Sequence, residues 1–506
     1  MKKSVFLFIV LLLIIPIALF AQPAKKDTSP QLSSQTSTCI GCHKTYTPGI
    51  VEDWKRSLHA KTTPAMALKK GTLERRVSAE KFEPALANVA VGCYECHSLN
   101  PKTHKDNFDH FGNKINVVVS PSDCATCHPT ESKQYSGSKK AHAVGNLTKN
   151  PVFTGLVETV ISHKKVENGK ITQLPSSAST KHETCFACHG TEVKAEGLKD
   201  VETAVGKIKV PALTNWPNQG VGRINPDGSM GSCSSCHPRH SFSIEIARKP
   251  YTCAQCHLDP DVPAWNVYKE SKHGNIFFSK YQDWDFKAVP WKVGKDFHAP
   301  TCATCHNSLI TTNGGKVIAE RTHDFGARLW VRLFGLIYSH PQPIHGDTSI
   351  IKNKDGLPLP TAFTGEVATA GLIGKDEQSK RQKSMQGLCK SCHSTQWTTN
   401  HFVKLDNTIK EVDNMTVSAT LLLLEACKHN LAEGLPHGKN PFDDAIEQMW
   451  IRQWLFYGNS IKYSSAMTGA PDYATFKNGW WNMTENLQHM SDWIEFKKSS
   501  KGSVKK

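Results

Sequence analysis

The chain has 506 residues, with 61 lysines and arginines against 45 aspartates and glutamates, which gives a formal net charge of +16. A basic surplus of this size usually indicates nucleic acid or an anionic surface as a partner. Hydrophobic residues make up only 39% of the chain, which is little for a chain long enough to build a large core. Sixteen of the 17 cysteines recur in one motif, which indicates that something other than side chains fills part of that core.

The N-terminus is typical of a secretory signal. Lys2 and Lys3 precede an apolar run over residues 5–20, and Ala21 and Gln22 follow it. We therefore predict a signal peptide over residues 1–21 and export to the periplasm or an equivalent extracytoplasmic compartment. The alternative is an uncleaved membrane anchor, although the run is short for a span and no second stretch approaches that length. Residues 22–38, rich in Pro, Ser, Thr and Gln, predict a flexible leader.

Eight copies of Cys-x-x-Cys-His follow. Two thiols three positions apart can each form a thioether with one haem vinyl group, and the adjacent His then reaches the iron. A zinc site or a redox dithiol would not need a His directly after every second Cys. The sequence therefore predicts eight c-type haems. The covalent attachment residues are Cys39, Cys42, Cys93, Cys96, Cys124, Cys127, Cys185, Cys188, Cys233, Cys236, Cys253, Cys256, Cys302, Cys305, Cys389 and Cys392, and the proximal iron ligands are His43, His97, His128, His189, His237, His257, His306 and His393.

The other histidines bear on whether the irons are open. Of 24 His, sixteen lie outside the motifs, enough to give most irons a second axial ligand. A bis-His iron carries electrons, whereas chemistry on a small molecule needs an open position. The haems would replace much of the side-chain core over residues 39–403, which we predict to be one unit of short helices and loops. The haem propionates are negatively charged and would offset the formal net charge of +16, so no nucleic-acid partner is expected.

After the last motif the pattern becomes helical. Residues 404–506 predict a C-terminal domain of about three long helices that ends in a basic tail over 497–506. Two apolar stripes carry this prediction: Ile446, Met449, Trp450, Trp454, Tyr457 and Ile461, then Trp480, Met483, Leu487, Met490 and Ile494. The helices either cover the haem core or join subunits. Cys427, the cysteine outside the motifs, is predicted to be a buried thiol. The fold class is mainly α.

Several strings resemble the octahaem hydroxylamine oxidoreductase family, over nearly everything from Cys39 to about Trp493. They are the stretch from Cys39 to Trp54 followed by His59, Trp216-Pro-Asn with residues 222–228, and residues 333–343 around His340. The resemblance implies a mostly helical octahaem subunit that forms trimers. It also implies seven bis-His haems and one catalytic haem on the fourth motif, at Cys185, Cys188 and His189. The distal ligand candidates are His59, His142, His240, His273, His340 and His401, one of His104 and His110, and His323.

Two departures from the family bear on the reaction. Hydroxylamine-oxidising members have a string similar to Pro-Asp-His-Pro after the sixth motif. The corresponding string here is Pro260-Asp261-Val262-Pro263, with valine in place of histidine. Asp261 is kept as a catalytic candidate, but a base suited to neutral pH is replaced by valine. Without the family, Asp261 could equally be a helix cap or turn residue.

The second departure concerns the tyrosine that oxidising members cross-link to the catalytic haem of a neighbouring subunit. The corresponding stretch here offers Tyr473 or, in its place, Phe476. We therefore predict an enzyme without the cross-link that reduces nitrite to nitric oxide or onward to ammonia, and that also turns over hydroxylamine. One alternative is hydroxylamine or hydrazine oxidation with Tyr473 as the cross-link, and another is a non-catalytic electron carrier. The expected partners are a small c-type cytochrome and further copies of the chain, with no membrane span after processing.

Overall fold

The computed structural model describes residues 30–434 and 439–503. The predicted signal peptide, the first residues of the leader and the end of the basic tail lie outside these ranges. The leader prediction is wrong at its other end, because the first helix begins at Ser34 and includes residues 34–38. The Ser33 hydroxyl accepts a hydrogen bond from the Thr36 N–H and so provides the N-cap that starts the helix there.

Short helices dominate the motif-bearing part, as the sequence predicts. Most are separated by turns, and several begin with proline at the first turn, where no intrahelical N–H partner is needed. The helices are α1 Ser34–Tyr46, α2 Pro48–Arg56, α3 Pro64–Leu68, α4 Pro84–Ala87, α5 Cys93–His97, α6 Pro121–Cys124, α7 Pro129–Ser136, α8 Ala143–Thr148, α9 Pro151–Ile161, α10 Ala178–Glu183, α11 Cys185–His189, α12 Ile244–Arg248, α13 Pro250–Ala254, α14 Ala264–Glu270, α15 Lys272–Lys280, α16 Cys302–His306 and α17 Lys375–Cys389. Short 3₁₀ segments lie at His59–Lys61, Cys233–Ser235, Tyr281–Asp283 and Thr369–Gly371.

Small sheets that the sequence analysis did not anticipate lie between these helices. The strands are β1 Asn107–His110, β2 Asn113–Asn116, β3 His163–Glu167, β4 Lys170–Leu174, β5 Ala195–Thr203, β6 Gly206–Leu213, β7 Trp291–Lys292, β8 Ile310–Thr311, β9 Val317–Ala319, β10 Val331–Arg332 and β11 His340–Pro341. Four pairs are antiparallel (β1 with β2, β3 with β4, β5 with β6, and β10 with β11), and β7, β8 and β9 form a mixed three-stranded sheet. In β10 and β11, Arg332 lies directly opposite His340.

Three long helical rods form the C-terminal part, as predicted. The first is α18 Thr395–Lys428. The second runs through α19 Ala445–Ile451, a π-helical segment Arg452–Tyr457 and α20 Gly458–Ala466, and the third is α22 Trp480–Ser503 after the short α21 Pro471–Thr475. The predicted boundary between residues 403 and 404 falls inside α18, which begins two residues after His393. The Ser394 hydroxyl accepts from the Trp397 N–H, which explains why the helix starts directly behind the last motif.

The apolar stripes of these rods pack against one another within the chain. Ile446, Trp450, Trp454 and Met490 are at most 1% exposed in one cluster, which also holds Cys427, a buried thiol as predicted. Replacing one of these tryptophans with alanine is expected to cost about 3–5 kcal/mol. Within the described residues, no helix is both long and apolar enough to cross a membrane.

Candidate haem centres and active site

The motifs lie on helical turns. Helices α5, α11 and α16 coincide with three complete motifs, and α1 contains a fourth. On a helix, positions i, i+3 and i+4 share one face, so both thiols and the imidazole of a motif point to the same side. This is the arrangement that a haem bonded at two vinyl groups and at its iron requires.

Three of the eight proximal imidazoles make hydrogen bonds through Nδ1. His97 Nδ1 donates to the Asn116 carbonyl at 2.7 Å, and His189 Nδ1 donates to the Ala143 carbonyl at 3.3 Å. His43 Nδ1 lies 2.9 Å from the Thr47 hydroxyl. A donor hydrogen bond at Nδ1 leaves the lone pair on Nε2, which is the nitrogen an iron would take.

Four of the predicted distal histidines face a proximal one. With an iron–nitrogen bond of about 2 Å on each side, the ring centres of a bis-His pair are expected about 6 Å apart. The observed ring-centre distances are 6.2 Å for His43 and His110, 6.4 Å for His59 and His128, 6.5 Å for His237 and His323, and 6.1 Å for His273 and His393. His240 lies close enough to His97 for their charges to interact. These residues fit haem iron in both spacing and chemistry.

His104 does not fit an iron ligand. Its Nδ1 lies 3.1 Å from Asp106 Oδ1, and its Nε2 lies 3.1 Å from Asp123 Oδ2. Burial opposes protonation, but the hydrogen bonds to both carboxylates outweigh it and raise the pKa of His104 to about 10. A protonated ring with both nitrogens occupied has no lone pair to offer. The geometry therefore favours His110, which faces His43, over His104.

The three other candidates have no facing proximal ring in the described contacts. His340 is 2% exposed, and its Nδ1 donates to the Pro341 carbonyl at 2.7 Å, while its buried Nε2 has no hydrogen-bond partner in the described chain. Burial, followed by the charge of Arg332, lowers the pKa of His340 to about 3. His401 stacks on Trp397, with ring centres 5.3 Å apart, and His142 forms the N-cap position of α8. A buried ring nitrogen without a hydrogen-bond partner is a ligand signal, and His340 Nε2 and His401 Nδ1 both show it among the described residues.

Contacts between cysteine side chains show which attachment sites are neighbours. Direct side-chain interactions join Cys39 with Cys93, Cys124 with Cys233, Cys188 with Cys256, and Cys253 with Cys302. Three further pairs of thiols lie close enough for their charges to interact: Cys96 with Cys127, Cys236 with Cys253, and Cys305 with Cys389. The sites therefore run in the order one, two, three, five, six, seven and eight, and the fourth branches from the sixth.

The surroundings of the fourth motif are distinct. The negative charge of Asp261 reaches Cys185 and Cys188 and also reaches Tyr463 of α20. Asn459, one helical turn before Tyr463, donates to the Asp261 carbonyl at 2.9 Å and ties α20 to this loop. Asp261 is exposed to solvent. The surrounding protein still desolvates its carboxyl and so raises its pKa, and the charge of Asp259 adds to the shift.

Three further residues were missed by sequence reasoning. Burial raises the pKa of Tyr463 to about 12, with the charge of Arg332 opposing the shift. Burial also lowers the pKa of Arg332, whose charge reaches His189. Lys140 Nζ lies 3.5 Å from His257 Nε2. Only Arg332 had a sequence signal, because it directly precedes the string at residues 333–343.

The two candidates for the cross-linking position are placed differently. Tyr473 is 7% exposed and packs against Val267 and Ala470 of its own chain. Phe476 is 63% exposed. The exposed aromatic side chain of this pair is therefore the phenylalanine, which has no phenol oxygen to offer.

Comparisons with known proteins agree with this geometry. The family described as "Cytochrome c554 and c-prime" matches residues 25–114 and 123–208, and "Seven times multi-haem cytochrome CxxCH" matches residues 227–322. A solved structure described as a hypothetical multihaem protein is 44% identical, covers 94% of this chain and 98% of its own, and superposes with a TM-score of 0.88. The chain belongs to the multihaem cytochromes c.

Two further relatives refine this identification. The cytochrome is 24% identical over 452 residues to a probable nitrite reductase-hydroxylamine oxidoreductase fusion protein of Kuenenia stuttgartiensis, and it spans 43% of that protein's length. It also shares the fold of a reducing hydroxylamine oxidoreductase-like protein complex of the same organism. The two are 17% identical with a TM-score of 0.62, over 93% of this chain and 87% of the other. The predicted resemblance to the octahaem hydroxylamine oxidoreductases is confirmed.

Proposed function

We propose that the cytochrome carries eight c-type haems and reduces nitrite at a haem on Cys185 and Cys188, with His189 as its single protein axial ligand. The observation that carries this proposal is the set of groups around the fourth motif. An acid with a raised pKa, Asp261, lies with Tyr463 and Arg332 at the attachment site that branches off the line of the others. Bound haems would supply the electrons, and an open iron would supply a binding position for the substrate nitrogen.

The side chains can supply what nitrite reduction consumes. Reduction of nitrite to nitric oxide takes up one electron and two protons and releases one water. Because its pKa is raised, Asp261 retains a proton at a pH where an ordinary aspartate would be ionised, so it can donate to the departing oxygen. The Tyr463 hydroxyl offers a second donor, and the half-buried guanidinium of Arg332 would attract the nitrite anion. The same donors would serve reduction onward to ammonia and turnover of hydroxylamine.

The same surroundings disfavour the oxidative direction. Oxidation of hydroxylamine must remove protons, and Val262 stands where oxidising family members are expected to have an imidazole base. The burial of Tyr473 within its own chain and the exposure of Phe476 also argue against a tyrosine cross-link between subunits. Both features support reduction over hydroxylamine or hydrazine oxidation.

The remaining haems form the electron path in this proposal. Seven bis-His irons would use as distal ligands His59, His110, His142, His240, His273, His323, His340 and His401, which is one candidate more than seven irons need. His189 Nδ1 is held by Ala143 on α8, directly after His142. We further propose export after removal of residues 1–21, assembly into a homotrimer or larger oligomer through the C-terminal helices, and a small c-type cytochrome as redox partner. No stable membrane span and no nucleic-acid partner are part of this proposal.

The test compares two neighbouring carboxylates. Asp261→Asn should lower nitrite reduction by about 100-fold or more, because it removes a general acid. Asp259→Asn is the matched comparison, because Asp259 is exposed in the same loop and only adds to the raised pKa of Asp261, so its variant should lower the rate far less than Asp261→Asn does. Intact mass would count the haems, and electron paramagnetic resonance would count high-spin ferric iron. An unchanged rate in Asp261→Asn would refute the role of Asp261, and a spectrum with no high-spin iron would refute catalysis and favour an electron carrier.

A further inference from the structure

Three carboxylates converge at the start of α19, far in sequence from the haem motifs. Ligand atoms of Asp443, Asp444 and Glu447 all lie within 4.8 Å of one another. Glu447 is fully buried, at 0% exposure. Its Oε2 accepts from the Asp444 N–H at 2.9 Å, but its buried Oε1 has no hydrogen-bond partner in the described chain.

The backbone N–H groups of Asp443 and Asp444 donate to the buried Glu447 carboxylate, but no cation is among the charges that act on it. The charges that act on Glu447 are those of Asp444 and Asp443, both negative, and the Asp443 carboxyl interacts directly with Glu447. Burial and these two neighbours raise the pKa of Glu447 to about 7. A buried carboxylate is costly unless it is paired or coordinates a metal. The cluster is therefore short of positive charge although the chain as a whole is strongly basic.

We infer that Asp443, Asp444 and Glu447 form a binding site for Ca²⁺ that stabilises the contact between the segment after α18 and the start of α19. All donors are carboxylate oxygens, which are the ligands of hard cations, and no imidazole or thiol is present to favour zinc or copper. Calcium tolerates irregular oxygen sets and fills its remaining positions with water, whereas magnesium demands near-ideal octahedral geometry. The inference does not depend on the proposed reaction.

The site would act on the C-terminal bundle. Asp444 Oδ2 accepts from the Glu433 N–H at 2.9 Å, so the cluster already connects the segment after α18 with the start of α19. Ile446 and Trp450 follow within the next turns and are buried in the bundle core. A cation here would neutralise the carboxylates and stabilise the contact between Glu433 and Asp444.

The experiment uses the full-length haem-loaded protein after treatment with a chelator and dialysis. Titration with CaCl₂ in a calorimeter should show one site with a dissociation constant on the order of 10⁻⁴ M, and calcium should raise the thermal midpoint by several degrees. Glu447→Gln and Asp443→Asn should lose both effects. Asp443 is exposed, so its variant keeps the test valid if Glu447→Gln folds poorly.

Asp492→Asn is the matched control. Asp492 is an exposed acid on α22 that accepts from Gln488, and its variant should bind calcium like the wild type. Loss of the effect in the two cluster variants, with retention in the control, separates this site from haem propionates or other surface acids. Absence of calcium binding in the wild type, or its persistence in both cluster variants, would overturn the inference and leave a cluster held by a shared proton.

Discussion

His104 is predicted to stabilise the fold and not to ligate iron. Its imidazole is fully buried between Asp106 and Asp123, and Asp227 Oδ2 lies 4.0 Å from its Nε2. The side chains of these three carboxylates are at most 2% exposed. His104→Gln removes the positive charge and leaves the carboxylates buried without it. Breaking a buried ion pair in this way costs roughly 3–5 kcal/mol.

The assay combines stability with spectroscopy. Guanidinium denaturation followed by circular dichroism should show a lower midpoint for His104→Gln, while the number of low-spin ferric signals stays that of the wild type. His110→Ala is the comparison, because His110 faces His43 and its removal should convert one low-spin signal. If His104→Gln lost a low-spin signal and kept its stability, the geometric assignment of the two histidines would be refuted.

The pH dependence gives the same prediction an independent check. The pKa of His104 is raised from 6.5 to about 10 in the folded chain. A raised histidine pKa contributes stability that is fully present below pH 6.5 and is lost as the pH rises through about 10. The stability difference between wild type and His104→Gln should therefore be largest in mild acid and shrink across that window. A difference that grows with pH would contradict the paired imidazolium.

Two further predictions concern the direction of catalysis. Val262→His should raise hydroxylamine oxidation relative to nitrite reduction, because it adds a base of near-neutral pKa beside Asp261. Steady-state rates in both directions measure this, and an unchanged ratio would mean that this position does not separate the two reactions. Denaturing electrophoresis of the haem-loaded protein should show single chains, since Phe476 and not Tyr473 is exposed. Chains that stay linked after denaturation would instead support oxidation through a tyrosine cross-link.

The haem attachment residues and the C-terminal rods could be predicted because local spacing determines both. A thioether pair with an adjacent ligand needs Cys-x-x-Cys-His whatever the rest of the chain does. The stripe from Ile446 to Ile461 repeats at helical period, and the structure buries both of these end residues. The small hairpins were missed because β3 and β4 are exposed throughout and β5 is mostly exposed, so they lack the apolar alternation that identifies a half-buried strand.

The site could be predicted only in part because its remaining groups meet through long-range packing. The choice between His104 and His110 depends on Asp123 and Asp227, which approach from other segments. Tyr463 lies near Asp261 because α20 packs against the loop that holds Asp261. No local sequence pattern around Tyr463 predicts this contact. The sequence instead drew attention to Tyr473, a residue whose ring packs into its own chain.

Electrons and protons would reach the fourth site through different groups in the proposed function. Its Cys188 interacts with Cys256 of the sixth motif, which places this attachment site beside the line of the others on one side. Asp261 lies in the loop after the sixth motif, Tyr463 lies on α20, which packs against that loop, and Arg332 lies on β10 opposite β11. A pure electron carrier has no need of an acid with a raised pKa at a branch that leads to no further site. A branch that ends at proton donors and a half-buried cation is what reduction of a small anion requires, because each electron delivered there must be matched by protons.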